Sequence, residues 1–367
     1  MAVNYLLYSE DEIPILNIIH PTAMKTAALL FILLLSSVIT FAQSGKGTKE
    51  RIQIYSHAIE GNLVGDPAER DVTVYLPPSY LTNPNRHYPV LYMLHGFTDS
   101  DSQWFGWEEH WINLHEVIDA ALAEGRSKEM IVVMPNAYNR FKGSMYSSSV
   151  TIGDWESFVA RELVQYIDAH YRTIPRASSR GLAGHSMGGY GTIRLGMKYP
   201  EVWSAIYLMS PCCMDGTMLE TSPQMMKSVE EIVSVDQLES AGFMAIATLA
   251  SAAAWAPHPE KPPFYLDLPF ADGEVLPEVA AKFSANRTLF AIDQYVFNLK
   301  KLKAIGMDAG LQDAGISNST RKLHERLDSY EIPNQYESYE GDHINRIAER
   351  IRTRTLPFFS EHLDFEQ

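Results

Sequence analysis

Ser186 lies in Gly184-His185-Ser186-Met187-Gly188, a G-x-S-x-G pattern with a further glycine at Gly189. A serine hydroxyl is a weak nucleophile until a base takes its proton. In this pattern the serine stands on a sharp turn between a strand and a helix, and glycines two places to either side let the two backbones approach. The flanking sequence has the required form. Residues 179–183 read as a short buried strand, and Tyr190, Ile193, Leu195 and Met197 run into a helix-length segment that stops at Pro200.

A nucleophile of this kind needs a carboxylate and then a histidine further along the chain. His343 follows a strand-like stretch, 334–339, within Glu340-Gly341-Asp342-His343, and a helical stretch follows it. His324 lies mid-helix, His258 lies in an irregular region and His362 lies in the tail. For the acid, Asp313 closes Gly310-Leu311-Gln312-Asp313 just past a strand at 303–308; Asp308 is the alternative, close enough for a swap. Asp342 adjoins His343, and its side chain should diverge from the ring. The carboxylate's task is to hold the imidazole tautomer and stabilise the imidazolium. The backbone N–H groups of Met187 and Phe97 are the expected donors to a developing oxyanion. Trp104, Trp107, Tyr138, Phe141, Tyr146 and His185 are candidate walls for an aromatic acyl group or a sugar, although aromatic residues so placed also serve as core.

No H-E-x-x-H, Cys/His ligand set or phosphate-cradling loop occurs, and His110 and His115 are off the same-face helical spacing. The sequence therefore predicts neither a metal nor a cofactor.

The elements that must position these residues alternate. Residues 51–57, 71–76, 89–94, 130–134, 203–209, 303–308 and 334–339 read as strands. Residues 107–123, 154–171, 318–328 and 343–362 read as helices. Strands alternating with helices predict an α/β architecture, with a mostly parallel sheet covered on both faces. Between about 211 and 298 the alternation is lost. A helical, Ala-rich stretch at 241–255 and a run of prolines predict an insertion before the acid, either a lid or substrate wall over the site or a packing subdomain.

The chain has 367 residues and a net charge of −15. That acidity argues against nucleic acid or an anionic membrane as the main partner. Lys25 followed by the apolar run 27–39 reads as a secretory signal peptide over 24–42, with cleavage before Gln43. The run is interrupted by Ser36, Ser37 and Thr40 and is short for a membrane span. Residues 1–23 read as an extension ahead of the true start at Met24, and 43–367 as one domain, secreted or periplasmic. The two cysteines, Cys212 and Cys213, are neighbours; a bridge between them would be strained, so the expectation is no disulfide and a place in the core.

Leu94-His95-Gly96, Gly153-Asp154-Trp155-Glu156, Tyr171-Arg172-Thr173-Ile174, Gly184 through Tyr190, Gly310-x-x-Asp313 and Gly341-Asp342-His343 together resemble the putative esterase family. That family includes esterase D-type enzymes, feruloyl and acetylxylan esterases, enterochelin esterases and mycolyltransferases. The resemblance runs from about residue 51 to the C-terminus. It implies an α/β-hydrolase fold and the same Ser186, Asp313 and His343 set. The long insertion is unlike the compact members. The function expected is a secreted serine carboxylic-ester hydrolase acting on acetyl, feruloyl or other short acyl esters, carbohydrate-linked ones among them. Acyl transfer and thioester or siderophore-ester hydrolysis are the enzymatic alternatives. A carbohydrate-binding protein on a retired scaffold is the non-enzymatic one, against which stand the filled triad positions.

Overall fold

A computed structural model describes residues 45–216 and 222–365. The expected leader and the extension before it lie outside the described residues. Eight strands form the central sheet: β1 (Thr48–Tyr55), β2 (Glu69–Leu76), β3 (Val90–Leu94), β4 (Ile131–Pro135), β5 (Arg180–His185), β6 (Ala205–Met209), β7 (Ala304–Gly310) and β8 (Gln335–Tyr339). Their spatial order is β1-β2-β4-β3-β5-β6-β7-β8. β1 pairs antiparallel with β2, and β2 antiparallel with β4; the remaining pairs are parallel.

The central strands β3 to β7 are buried at every position because both faces are covered. In β3, Val90, Tyr92 and Leu94 enter one core, while Leu91 and Met93 enter the other. Alternation along a strand thus divides one continuous apolar run between two layers. The first layer includes helices α2 (Leu163–His170), α3 (Met187–Lys198) and α7 (Ala314–Ser329). The second includes α1 (Leu114–Ala123) and α8 (Leu356–His362). This is the α/β-hydrolase arrangement.

Between β6 and β7 the chain makes the expected insertion, with α4 (Pro223–Glu230), α5 (Phe243–Trp255) and α6 (Pro277–Ala285). Among the described residues no helix is long and apolar enough to cross a membrane.

Several boundaries differ from the sequence expectation. The helix expected over 107–123 starts only at Leu114, capped by the Asn113 side chain, because Gly106 sits at φ 65° in a loop that carries Trp107 and Trp111. The 154–171 helix contains a π-helical turn at Phe158–Glu162, so its apolar spacing is not uniform. The closing helix begins at Ile347 rather than 343 and has a π-helical turn at Ile351–Thr355. Its expected first turn is a loop, because the Asp342 side chain accepts from the N–H groups of Ile344 and Asn345. β7 runs two residues past 308 and buries Asp308 in the sheet.

Candidate active site

The order of strands reverses between β3 and β5, and in open α/β sheets the crevice beyond the strand C-termini at such a point is where ligands bind. Ser186 follows β5, Phe97 follows β3, Asp313 follows β7 and His343 follows β8, all at that end.

The turn at Ser186 is strained. Its backbone stands at φ 57°, ψ −114°, a conformation that costs a non-glycine residue about 1–3 kcal/mol. Its N–H donates to the Met209 carbonyl at 3.0 Å, and its own carbonyl accepts from Tyr190 at 3.0 Å and Cys212 at 3.1 Å. The flanking glycines are required by contact distance. A Cβ on Gly184 would stand 2.2 Å from the Gly188 carbonyl oxygen, and one on Gly188 would stand 2.0 Å from that of Leu94.

His343 Nε2 lies 2.9 Å from Ser186 Oγ, and His343 Nδ1 lies 2.5 Å from an Asp313 carboxylate oxygen. A neutral ring donates from Nδ1 to the carboxylate and accepts the serine proton at Nε2. Asp313 is the residue that precedes α7, where an aspartate ordinarily accepts helix N–H groups. Here it makes no such cap; its carboxylate goes to His343 instead. The loops that carry Asp313 and His343 are tied together, since Gln312 N–H donates to the Gly341 carbonyl at 2.9 Å.

Asp308, the alternative acid, is elsewhere. It is fully buried and accepts from Arg350 Nε at 2.8 Å and from the Tyr207 hydroxyl at 2.9 Å. Burial pushes its carboxyl up to about 6, with Arg350 opposing. Asp342 turns toward the backbone of its own loop.

Ser186, Asp313 and His343 open on one cavity of about 360 Å³, whose wall also includes Phe97 and Met187. The rest of that wall is largely apolar: Met145, Phe243, Met244, Ala247 and Ile316, with Cys212, Cys213 and Ser251. Phe97 and Phe243 meet edge to face at 5.5 Å across it. The two cysteines were expected in the core; they are half-buried free thiols in this wall.

The proposed substrate walls need correction. Trp104 and Tyr146 are fully buried and do not line the cavity. The Trp104 indole donates to Asp99 at 2.9 Å, and the Tyr146 hydroxyl donates to the His95 carbonyl at 3.1 Å. Both are large aromatics whose polar atoms are satisfied inside the protein. Phe141 is likewise core, whereas Trp107 and Tyr138 are exposed away from the cavity lining. His185 is buried behind the elbow, with its Nε2 2.8 Å from the His343 carbonyl. Burial, and then the neighbouring His343 and His110, lower its pKa to about 3. The ring is therefore neutral and donates from Nε2.

His95 has a comparable duty. Its Nε2 accepts from Ala137 N–H at 2.8 Å, so its Nδ1 donates to the Gly96 carbonyl at 2.8 Å and steadies the loop that carries Phe97. The sequence contained His95 only as part of a motif. Phe243, Met244, Ala247 and Ile316 were not anticipated either; only the insertion as a whole was. Among the described residues, no three His, Cys, Asp or Glu side chains are grouped as a metal site would need.

A family model described as "Putative esterase" matches residues 67–346. The chain belongs to the putative esterase family. An esterase of Mycobacterium tuberculosis is 34% identical over 130 residues, covering 35% of this chain and 26% of that protein. An endo-1,4-beta-xylanase/feruloyl esterase of Xylanibacter ruminicola is 30% identical over 191 residues, covering 47% of this chain and 25% of that one. The chain thus spans about a quarter of the length of these curated relatives. Among solved structures, a ferulic acid esterase superposes with a TM-score of 0.59 at 21% identity, covering 87% of this chain and 99% of that one. That likeness concerns the fold.

Proposed function

We propose that this member of the family is a serine carboxylic-ester hydrolase in which Ser186 is the nucleophile, His343 the general base and acid, and Asp313 the residue that orients His343. The observation that carries the reading is the pair of contacts made by one imidazole, 2.9 Å to Ser186 Oγ and 2.5 Å to Asp313, at the mouth of an apolar cavity.

An ester enters with its acyl group against Phe243, Met244 and Ile316. As Ser186 Oγ attacks the carbonyl carbon, its proton passes to His343 Nε2. The oxyanion forms toward the backbone N–H groups of Phe97 and Met187, each such donor being worth about 3 kcal/mol of barrier. His343 then protonates the departing alkoxide. Water, activated by the same ring, attacks the acyl-enzyme and frees the acid.

The apolar wall favours an acyl group larger than acetyl. An aromatic one, such as a hydroxycinnamoyl group on plant polysaccharide, agrees with the relatives named as feruloyl esterases. We read residues 24–42 as the leader that exports the mature domain to such a substrate.

The test is kcat/KM of the full chain on acetyl, butyryl and octanoyl nitrophenyl esters and methyl ferulate, beside Ser186→Ala. The variant is expected to lose at least about 10⁴-fold in kcat. Retained activity in Ser186→Ala would overturn the assignment. A preference for acetyl over every larger acyl group would overturn the pocket reading alone.

A further inference from the structure

Cys212 and Cys213 are neighbours in the chain, and both line the cavity that holds Ser186. Neighbouring side chains in an extended segment point to opposite sides. Here the two sulfurs meet at 2.7 Å, with Cys213 held in the left-handed region at φ 63°. That conformation is uncommon for a non-glycine residue, and the fold sustains it at this site.

Two further observations connect the pair to the chemistry. The Cys212 N–H donates to the Ser186 carbonyl at 3.1 Å, so the cysteine backbone braces the strained elbow directly. Arg287 is almost fully buried nearby, with Nη1 donating to the Asp215 carbonyl. Its Nε and Nη2 have no hydrogen-bond partner among the described residues. Its charge acts on the Cys212 thiol; the thiolate is the form that attacks disulfides. The Cys212 thiol is held up by its hydrogen bond to Cys213 and by burial, and Arg287 works against that rise.

We propose that Cys212 and Cys213 are a modification site, a vicinal dithiol that a small disulfide such as oxidised glutathione closes into an intrachain disulfide, slowing turnover at Ser186. This rests on the reading of Ser186 as nucleophile. One thiolate of the pair attacks the small disulfide. A mixed disulfide forms, the oxidant's S–S bond breaks, and one thiol leaves. The second thiolate attacks the mixed disulfide, the intrachain S–S bond forms and the other thiol leaves. Two electrons and two protons pass from the pair to the oxidant. The closed ring includes the peptide bond between the two cysteines. Its closure re-aims the Cys212 N–H that holds the Ser186 carbonyl and stiffens the cavity wall.

The experiment uses the full chain equilibrated in glutathione mixtures of increasing oxidation, quenched by thiol alkylation. Peptide masses and kcat/KM are read on the same samples. The peptide containing both cysteines should lose the mass of two hydrogen atoms and resist alkylation. On the same samples kcat/KM should fall about 10- to 100-fold, the scale of a small misplacement at a reacting centre, and recover with dithiothreitol. In Cys212→Ser and Cys213→Ser, the ratio of oxidised to reduced activity should be near unity, whatever the activity of each variant. The proposal is overturned if both thiols still alkylate, if they end as separate glutathione adducts, or if the ring closes with kcat/KM unchanged. Lack of turnover in the reduced wild type would instead overturn the nucleophile assignment, and the masses alone would then decide the dithiol.

Discussion

His185 and His343 are joined by a 2.8 Å hydrogen bond that runs from the imidazole of one to the main-chain carbonyl of the other. The two rings lie 4.8 Å apart. His185 directly precedes Ser186, so the strand that presents the Ser186 hydroxyl also holds the loop that presents the His343 ring. The bond requires a proton on His185 Nε2, and burial keeps the ring in that neutral form. Trp104 and Trp111 pack against the ring, with centroids 6.0 and 5.8 Å away.

His185→Phe keeps a ring in the space but removes the donor. It is expected to lower kcat about 10- to 100-fold, the usual cost of a small error in placing a reacting group, while KM changes less than about threefold, because no substrate contact is lost. His185→Gln, which can still donate, should recover part of kcat. Equal losses in KM and kcat, or no difference between Phe and Gln, would count against the positioning role.

The same residue should make the protein acid-sensitive. A histidine whose folded pKa is depressed contributes stability that is present above its ordinary value and is lost as pH falls toward the folded value. For His185 that window runs from about 6.5 down to about 3. Asp308 acts in the opposite sense, because a carboxyl raised to about 6 contributes stability that disappears as pH rises through that value. The difference between wild type and His185→Gln isolates the histidine. The wild type should lose about 2–3 kcal/mol more than the variant between pH 6.5 and 4.5, read from urea midpoints. Parallel pH curves would exclude the effect.

Asp313→Asn and Asp308→Asn should separate chemistry from stability. The first removes the carboxylate that fixes the His343 tautomer and should cost about 10⁴-fold in kcat, with little change in melting temperature. The second takes the buried one of two carboxylates from Arg350, leaving only the partly exposed Glu337 at 2.9 Å. It should cost about 3 kcal/mol of stability and less than about tenfold in kcat. Rates and thermal unfolding of the two variants check this, and the reverse pattern would move the acid to Asp308.

Ala247→Phe places a ring in the cavity wall without touching Ser186, Asp313 or His343. Octanoyl and feruloyl esters should lose at least about tenfold in kcat/KM relative to acetyl esters, a discrimination of one to two kcal/mol that a hydrophobic pocket readily supplies. An unchanged acyl-length profile would place the acyl group elsewhere.

The three residues that the structure brings together were legible as candidates because a motif and turn residues mark where their strands end, even though exact element boundaries were not. Ser186 was fixed by glycines that contact distance makes obligatory, and His343 by its place after the last strand. Asp313 and Asp308 could not be separated with certainty, since both fall near the end of β7 and only the sheet decides that Asp308 faces a buried arginine. The aromatic residues misled for a physical reason. Trp104 and Tyr146 look like binding-site residues by type, but type does not reveal that Asp99 and the His95 carbonyl already satisfy their polar atoms. The residues that do line the cavity, Phe243, Met244 and Ala247, lie on a helix that is apolar nearly all round, so no periodic face marked which side meets it.

The cavity is assembled from two sources. The loops at the strand C-termini contribute Ser186, Asp313 and His343, while α5, from the stretch between β6 and β7, contributes Phe243, Met244, Ala247 and Ser251 to the same cavity wall. If Ser186 is the nucleophile, exchanging the stretch around α5 should alter which acyl groups are accepted more than how they are cleaved. The two ends of that stretch lie on neighbouring parallel strands but at opposite edges of the sheet, since Ala304 at the start of β7 pairs with Ala205 rather than with Met209 at the end of β6, so a replacement has to cross the sheet as the native stretch does.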